Sequence, residues 1–270
     1  MIALLAGVAM IGATAASPAS ASQAASAVDY VALGDSYSSG VGAPPYDLDT
    51  SCLRSAQSFA PRWATEHHPA SFGFAACSGA TTADVLATQI PALRRGTDLV
   101  TITIGGNDAG FAPVLQTCTL ATSDRECMAA VDAAEVFMLT VLPHRLAQTY
   151  AAIRRAAPHA RVIVLGYPRL FDLAPSCADP HVPNLARRTK LNQSAKVIDG
   201  VIRAVSRPFR FGFADVRGRF AGHGVCSAHP WINGPSAPAL LGPYHPNQVG
   251  YHDGYLAALD AATARGLAAA

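Results

Sequence analysis

The sequence predicts an α/β domain in which a parallel sheet carries helices on both faces. Strand-like and helix-like segments alternate along the chain, the pattern left by the crossover connections of a parallel sheet. Half of the 270 residues are hydrophobic and 14% are charged, which supplies one sizeable core and is unlike a disordered chain. Proline, glycine and cysteine gather in several long connections rather than in one linker, so these read as excursions from a single domain.

Taken in order, an apolar stretch from Ile2 to about Ile11 passes through Ala-Ser-Pro repeats to two A-x-A sites, ending at Ala21 and Ala27. This reads as a secretory signal peptide over residues 1–27, cleaved after Ala21 or Ala27. Its apolar core is shorter than the ~20 residues of a membrane span, and no lysine or arginine precedes it. The domain then covers 28–270. Strands are expected at 28–34, 72–77, 99–105, 161–166 and 209–216, a five-stranded parallel sheet. Helices are expected at about 56–67, 82–94, 129–157, 184–206 and 247–268, from apolar residues at helical spacing. The loops fall at 41–56, 107–128, 167–183 and 217–246.

Charge narrows the partners. Twenty basic residues nearly balance 18 acidic ones, for a net charge of +2, so the basic footprint of a nucleic-acid binder is missing and no such partner is expected. Mean hydropathy is +0.22, yet no segment after the leader is long and apolar enough to span a bilayer. The expected partner is a small-molecule or lipid substrate met by a monomer.

Six cysteines stand at 52, 77, 118, 127, 177 and 226, none in a C-x-x-C pair. Metal-ligand spacing is therefore absent, and no H-E-x-x-H pattern occurs, so no metal is expected. With an export signal, the even count favours three disulfides in an oxidising compartment. Six cysteines allow about 15 pairings; consecutive pairing is the simplest, Cys52–Cys77, Cys118–Cys127 and Cys177–Cys226.

In open parallel sheets ligands lie beyond the carboxyl ends of the strands, and four such places carry chemistry here. Gly34-Asp35-Ser36 follows the first strand, Cys77-Ser78-Gly79-Ala80 the second, and Gly105-Gly106-Asn107-Asp108 the third; Tyr244-His245-Pro246-Asn247 ends the last long loop. Acyl transfer needs a hydroxyl nucleophile, a base within reach and donors aimed at a developing oxyanion. Ser36 can be the nucleophile and His245 the base. The N–H groups of Ser36 and Gly79 and the side-chain amide of Asn107 can form the oxyanion hole. The G-x-S-x-G elbow of α/β-hydrolases occurs nowhere in the chain.

These blocks, YVALGDSYSSG, ACSGATT, ITIGGNDAGF and YHPNQVGY, resemble the SGNH, or GDSL, hydrolases, and among them the secreted lipases and esterases of actinomycetes. The resemblance covers almost all of the mature chain. It implies a three-layer, flavodoxin-like α/β/α fold, no cofactor, and carboxylic-ester hydrolysis through an acyl-enzyme, with Ser36, Gly79, Asn107 and His245 in the roles above. Many members carry an aspartate three residues before the histidine, where this chain has Gly242. A main-chain carbonyl, that of Gly242, is expected to orient the imidazole instead. Asp253 lies on the following helix and is expected to face solvent.

Competing readings stand beside these. A serine in such a turn is usually a helix cap, and Asp35 and Asp108 are expected to hold their loops by hydrogen bonds. A carbohydrate O-deacetylase shares the fold and differs by releasing acetate from sugars; a non-catalytic lipid- or glycan-binding module would have no need of the serine and histidine. The stretches Phe111 to Cys127 and Cys177 to Pro183 are expected to border the site.

Overall fold

The structure, a computed structural model, describes residues 26–267. The expected signal peptide, but for its last two residues, lies outside them. The five strands are β1 (Ser26–Gly34), β2 (Pro69–Phe74), β3 (Leu99–Thr103), β4 (Arg161–Leu165) and β5 (Gly212–Ala214), all parallel and in the order β2-β1-β3-β4-β5. Tyr30 pairs with Leu99 and Val31 with Val100, and Val100 in turn with Val162. All of β3 is buried, as a central strand covered on both faces requires. With β1 between β2 and β3, the strand order reverses direction at the β1/β3 boundary, where open sheets place their ligands.

The helices are α1 (Ser36–Ser39), α2 (Phe59–His67), α3 (Thr82–Asp84), α4 (Phe111–Leu120), α5 (Asp124–Thr140), α6 (Leu142–Ala156), α7 (Leu185–Ser206) and α8 (Ala257–Leu267). α2 and α8 pack together through the π-type turn Gly250–Leu256 on one side, and α5, α6 and α7 pack on one another on the other. The core between these layers holds Tyr30, Leu33, Ile102, Val164 and Ile202, all essentially inaccessible. Among the described residues no single helix is long and apolar enough to cross a membrane.

Several expected boundaries move for local reasons. The helix expected over 129–157 is two, α5 and α6, bent by 48° at Val141. Pro143 in the first turn of α6 has no N–H to continue the α5 ladder and crowds the carbonyl four residues back. The helix expected over 82–94 shortens to α3, followed by a π-type turn and a 3-10 turn around Pro91. β2 starts three residues early, and Pro208 folds 207–209 into a 3-10 turn so that β5 is only three residues long. Most consequential is α4, which forms within the expected loop 107–128.

The cysteines pair consecutively: Cys52–Cys77, Cys118–Cys127 and Cys177–Cys226. The first ties the 41–56 loop to the end of β2, the second joins α4 to α5, and the third links the loops that follow β4 and β5. Each bridge fixes a stretch of chain that follows a strand's carboxyl end.

Candidate active site

The site begins where β1 ends. Gly34 has φ +125°, and a Cβ there would stand 2.5 Å from the Thr103 carbonyl oxygen, so only glycine lets β1 turn this close to β3. Its backbone is held at both ends by buried Gln89, whose Oε1 accepts the Gly34 N–H (2.7 Å) while Nε2 donates to the Gly34 carbonyl (2.8 Å). Asp35 caps α1: Oδ1 accepts from the Tyr37 N–H at 3.0 Å and from the Thr103 hydroxyl at 2.7 Å, and Oδ2 accepts from the Tyr167 hydroxyl. Burial pushes its carboxyl up to about 6, against the pull of these donors. Asp35 thus holds the turn that presents Ser36, 8% exposed, at the first position of α1.

Sequence reading missed Tyr167. It directly follows β4 (Gly166-Tyr167), the one strand end passed over, and its hydroxyl both donates to Asp35 and accepts the Gly106 N–H at 3.0 Å. One buried phenol therefore locks the first block to the third. Asp108 does the same between the second and third: it accepts from the Thr82 N–H (2.9 Å) and hydroxyl (2.7 Å), the loop-holding role expected of it.

His245 reaches Ser36 from the end of the last loop. Its Nδ1 lies 3.0 Å from the Pro243 carbonyl, which can only accept, so Nδ1 carries the proton and Nε2 is left to accept from the Ser36 hydroxyl at 2.8 Å. This corrects the expectation at Gly242. The Gly242 carbonyl takes the backbone N–H of His245 at 3.1 Å, and the carbonyl one residue on, that of Pro243, makes the hydrogen bond to the ring. Asp253 lies away from the site and pairs with exposed His252. The loop itself is anchored by the Tyr37 hydroxyl, which donates to the Tyr244 carbonyl at 2.7 Å.

Tyr37 and Phe111 flank the imidazole, with ring centroids 4.9 and 6.1 Å away. Burial is the largest influence on the ring and pushes it from 6.5 down to about 4, opposed by the carbonyls of Pro243 and Gly242. The neutral, proton-accepting form therefore persists well below pH 6.5. The acid limb of kcat/KM, which reports the free protein's base, is expected between pH 4 and 6.5; a pH–rate profile whose limb lies at or above 6.5 would mean a solvated ring. Melting is a poorer readout. His245 loses stability as pH falls from 6.5 toward 4, whereas Asp35, raised to about 6, gains it as pH falls through 6.

Ser36, Gly79, Asn107 and His245 together line one open cleft of about 450 Å³. Among the described residues the N–H groups of Ser36 and Gly79 donate to no protein acceptor. Gly79 has φ +81°, is exposed and lines this cleft. Asn107 Nδ2 donates one of its two hydrogens to the Ala80 carbonyl at 2.9 Å, and the other remains for a ligand. The cleft walls are α4 and residues around 235–245, with Pro235, Pro243 and Tyr244. The stretch Cys177 to Pro183 does not line it, contrary to expectation.

A hydroxyl is thus hydrogen-bonded to an imidazole, with donors beside it that no protein group among the described residues takes up. Residues 32–252 match the model of the GDSL-like Lipase/Acylhydrolase family. The chain belongs to this family. A lipase of Streptomyces rimosus is 45% identical over 258 residues, covering 94% of this chain and 93% of that one. The crystal structure of the extracellular lipase from S. rimosus superposes with a TM-score of 0.83 at 46% identity, covering 87% of this chain and all of that one. Phospholipase A1 from Streptomyces albidoflavus NA297 gives 0.84 at 41% identity, with 88% and 100% covered. The family's three-layer α/β/α fold is the one predicted from the sequence.

Proposed function

We infer that the chain is a secreted carboxylic-ester hydrolase, a lipase or esterase that works through an acyl-enzyme on Ser36. The observation that carries this reading is the 2.8 Å contact between Ser36 Oγ and His245 Nε2 inside a cleft also lined by Gly79 and Asn107. As Oγ attacks the ester carbonyl, its proton passes to Nε2. The carbonyl oxygen takes up negative charge and meets the N–H groups of Ser36 and Gly79 and the free hydrogen of Asn107. The imidazolium then protonates the departing alcohol, and the same ring activates the water that releases the acid. Among the described residues no carboxylate hydrogen-bonds Nδ1; the Pro243 carbonyl fixes the tautomer, and with the Gly242 carbonyl it steadies the imidazolium.

The extracellular setting of the S. rimosus lipase and the three disulfides support export; the reading further takes cleavage to fall after Ala21 or Ala27 and the enzyme to act as a monomer on small-molecule or lipid esters. The test is an organophosphonate ester followed by peptide mapping, with p-nitrophenyl esters as substrates. A covalent adduct on Ser36 with loss of ester hydrolysis is expected. Labelling elsewhere, or hydrolysis that survives full labelling, would overturn the reading, and acetate release confined to acetylated sugars would move it to a deacetylase.

A further inference from the structure

Behind the catalytic cleft lies a second, narrow cavity of about 60 Å³ whose lining is almost wholly apolar. Phe111 and Leu115 of α4 belong to the walls of both spaces. The rest of its lining includes Ala134 and Met138 of α5 and Leu191 and Ile198 of α7, none of which lines the cleft. Gly106 also lines it, and the next residue, Asn107, lines the cleft. The two spaces therefore adjoin at Gly106-Asn107. The Phe111 ring stands edge-on to both His245 and Tyr37 as the partition between the two spaces.

Resting on the ester-hydrolase reading, we propose that this cavity receives the far end of the substrate's acyl chain once Phe111 swings aside, and that Ala134 and Met138 set the chain length accepted. The chemistry of the lining selects the occupant. The Tyr167 hydroxyl is spent on Asp35 and the Gly106 N–H, and the Ser194 hydroxyl finds only the Met138 sulfur, at 4.0 Å. A sugar or a headgroup would bury its polar atoms there unpaired, which is costly. An apolar cavity of this kind stays dry and takes small apolar guests. At about 60 Å³ it is far below the roughly 300–1,000 Å³ of whole-ligand pockets, so it fits a stretch of alkyl chain whose ester end stays in the cleft.

The experiment measures kcat/KM for p-nitrophenyl butyrate and decanoate in the wild type, Ala134→Leu and Met138→Ala. The ratio of the two rates is the readout, because it does not depend on how much of a variant is folded. Ala134→Leu shortens the cavity and is expected to lower the decanoate/butyrate ratio about tenfold or more; Met138→Ala deepens it and should raise the ratio several-fold, since each methylene gained or lost in an apolar pocket changes rates by about 10- to 200-fold. Either shift in its stated direction supports the assignment, and the two variants must not move together. Ratios within about twofold of wild type in whichever variants turn over would overturn it. Hydrolysis that persists in Ser36→Ala would instead defeat the parent reading, which keeps the two failures apart.

Discussion

Ser36→Ala is expected to lower kcat on a soluble p-nitrophenyl ester by about 10⁵- to 10⁶-fold, and His245→Ala by a comparable factor. The double variant should fall close to either single one. With Oγ and Nε2 at 2.8 Å, attack and proton transfer are one event, and removing either partner removes it. Fold and function separate cleanly here. Among the described residues the only hydrogen bond made by Ser36 Oγ is to His245, and one neutral hydrogen bond contributes about 1 kcal/mol, a shift of about 2–4 °C in Tm for a chain of this size. Thermal melts run beside the kinetics therefore exclude unfolding as the cause. Fully additive losses would show that the two residues act in separate steps, and a Ser36→Ala variant turning over near the wild-type rate would remove the nucleophile from this position.

Much of this site was legible because strand ends are readable. β-branched runs mark β1, β3 and β4, and the rule that ligands lie past the carboxyl ends pointed to Ser36, Gly79 and Asn107 without coordinates. What stayed hidden depends on long-range closure. Asp35, Tyr167 and Gly106 are joined through one phenol across 132 and 61 residues, and no periodicity announces such a bond. The choice between the Gly242 and Pro243 carbonyls turns on the path of a single turn, which residue spacing does not encode. α4 escaped because Gly110 and Pro113 bracket its start and read as loop. In the structure Gly110 sits in the left-handed region at φ +75° as the N-cap, and Pro113 falls in the first turn, where a missing N–H costs nothing. That oversight mattered, since α4 supplies Phe111, Leu115 and Leu120 to the cleft wall.

Asn107 carries the second large effect, and its geometry sets a sharper test than its sequence position could. One amide hydrogen is committed to the Ala80 carbonyl at 2.9 Å, which aims the other into the cleft shared with Ser36 and Gly79. A donor fixed in this way cannot turn to improve its grip on a neutral ester. It gains most when the carbonyl oxygen takes full charge in the tetrahedral intermediate, so its loss belongs in kcat rather than in KM. Asn107→Ala is expected to lower kcat by about 10²–10³, or about 2.7–4 kcal/mol, with KM little changed. The lost bond to Ala80 should lower Tm by only about 2–4 °C. Asn107→Asp keeps the shape but places a carboxylate against both the Ala80 carbonyl and the developing oxyanion, so it should be slower than the alanine variant. If Asn107 served only to pin the Ala80 turn, both variants would displace Gly79 and raise KM, and the melting loss would track the kinetic one. Steady-state kinetics of the two variants on one soluble ester, each paired with its melt, distinguish a donor from a brace: a KM rise at constant kcat, or an aspartate variant faster than alanine, would assign Asn107 to the turn alone.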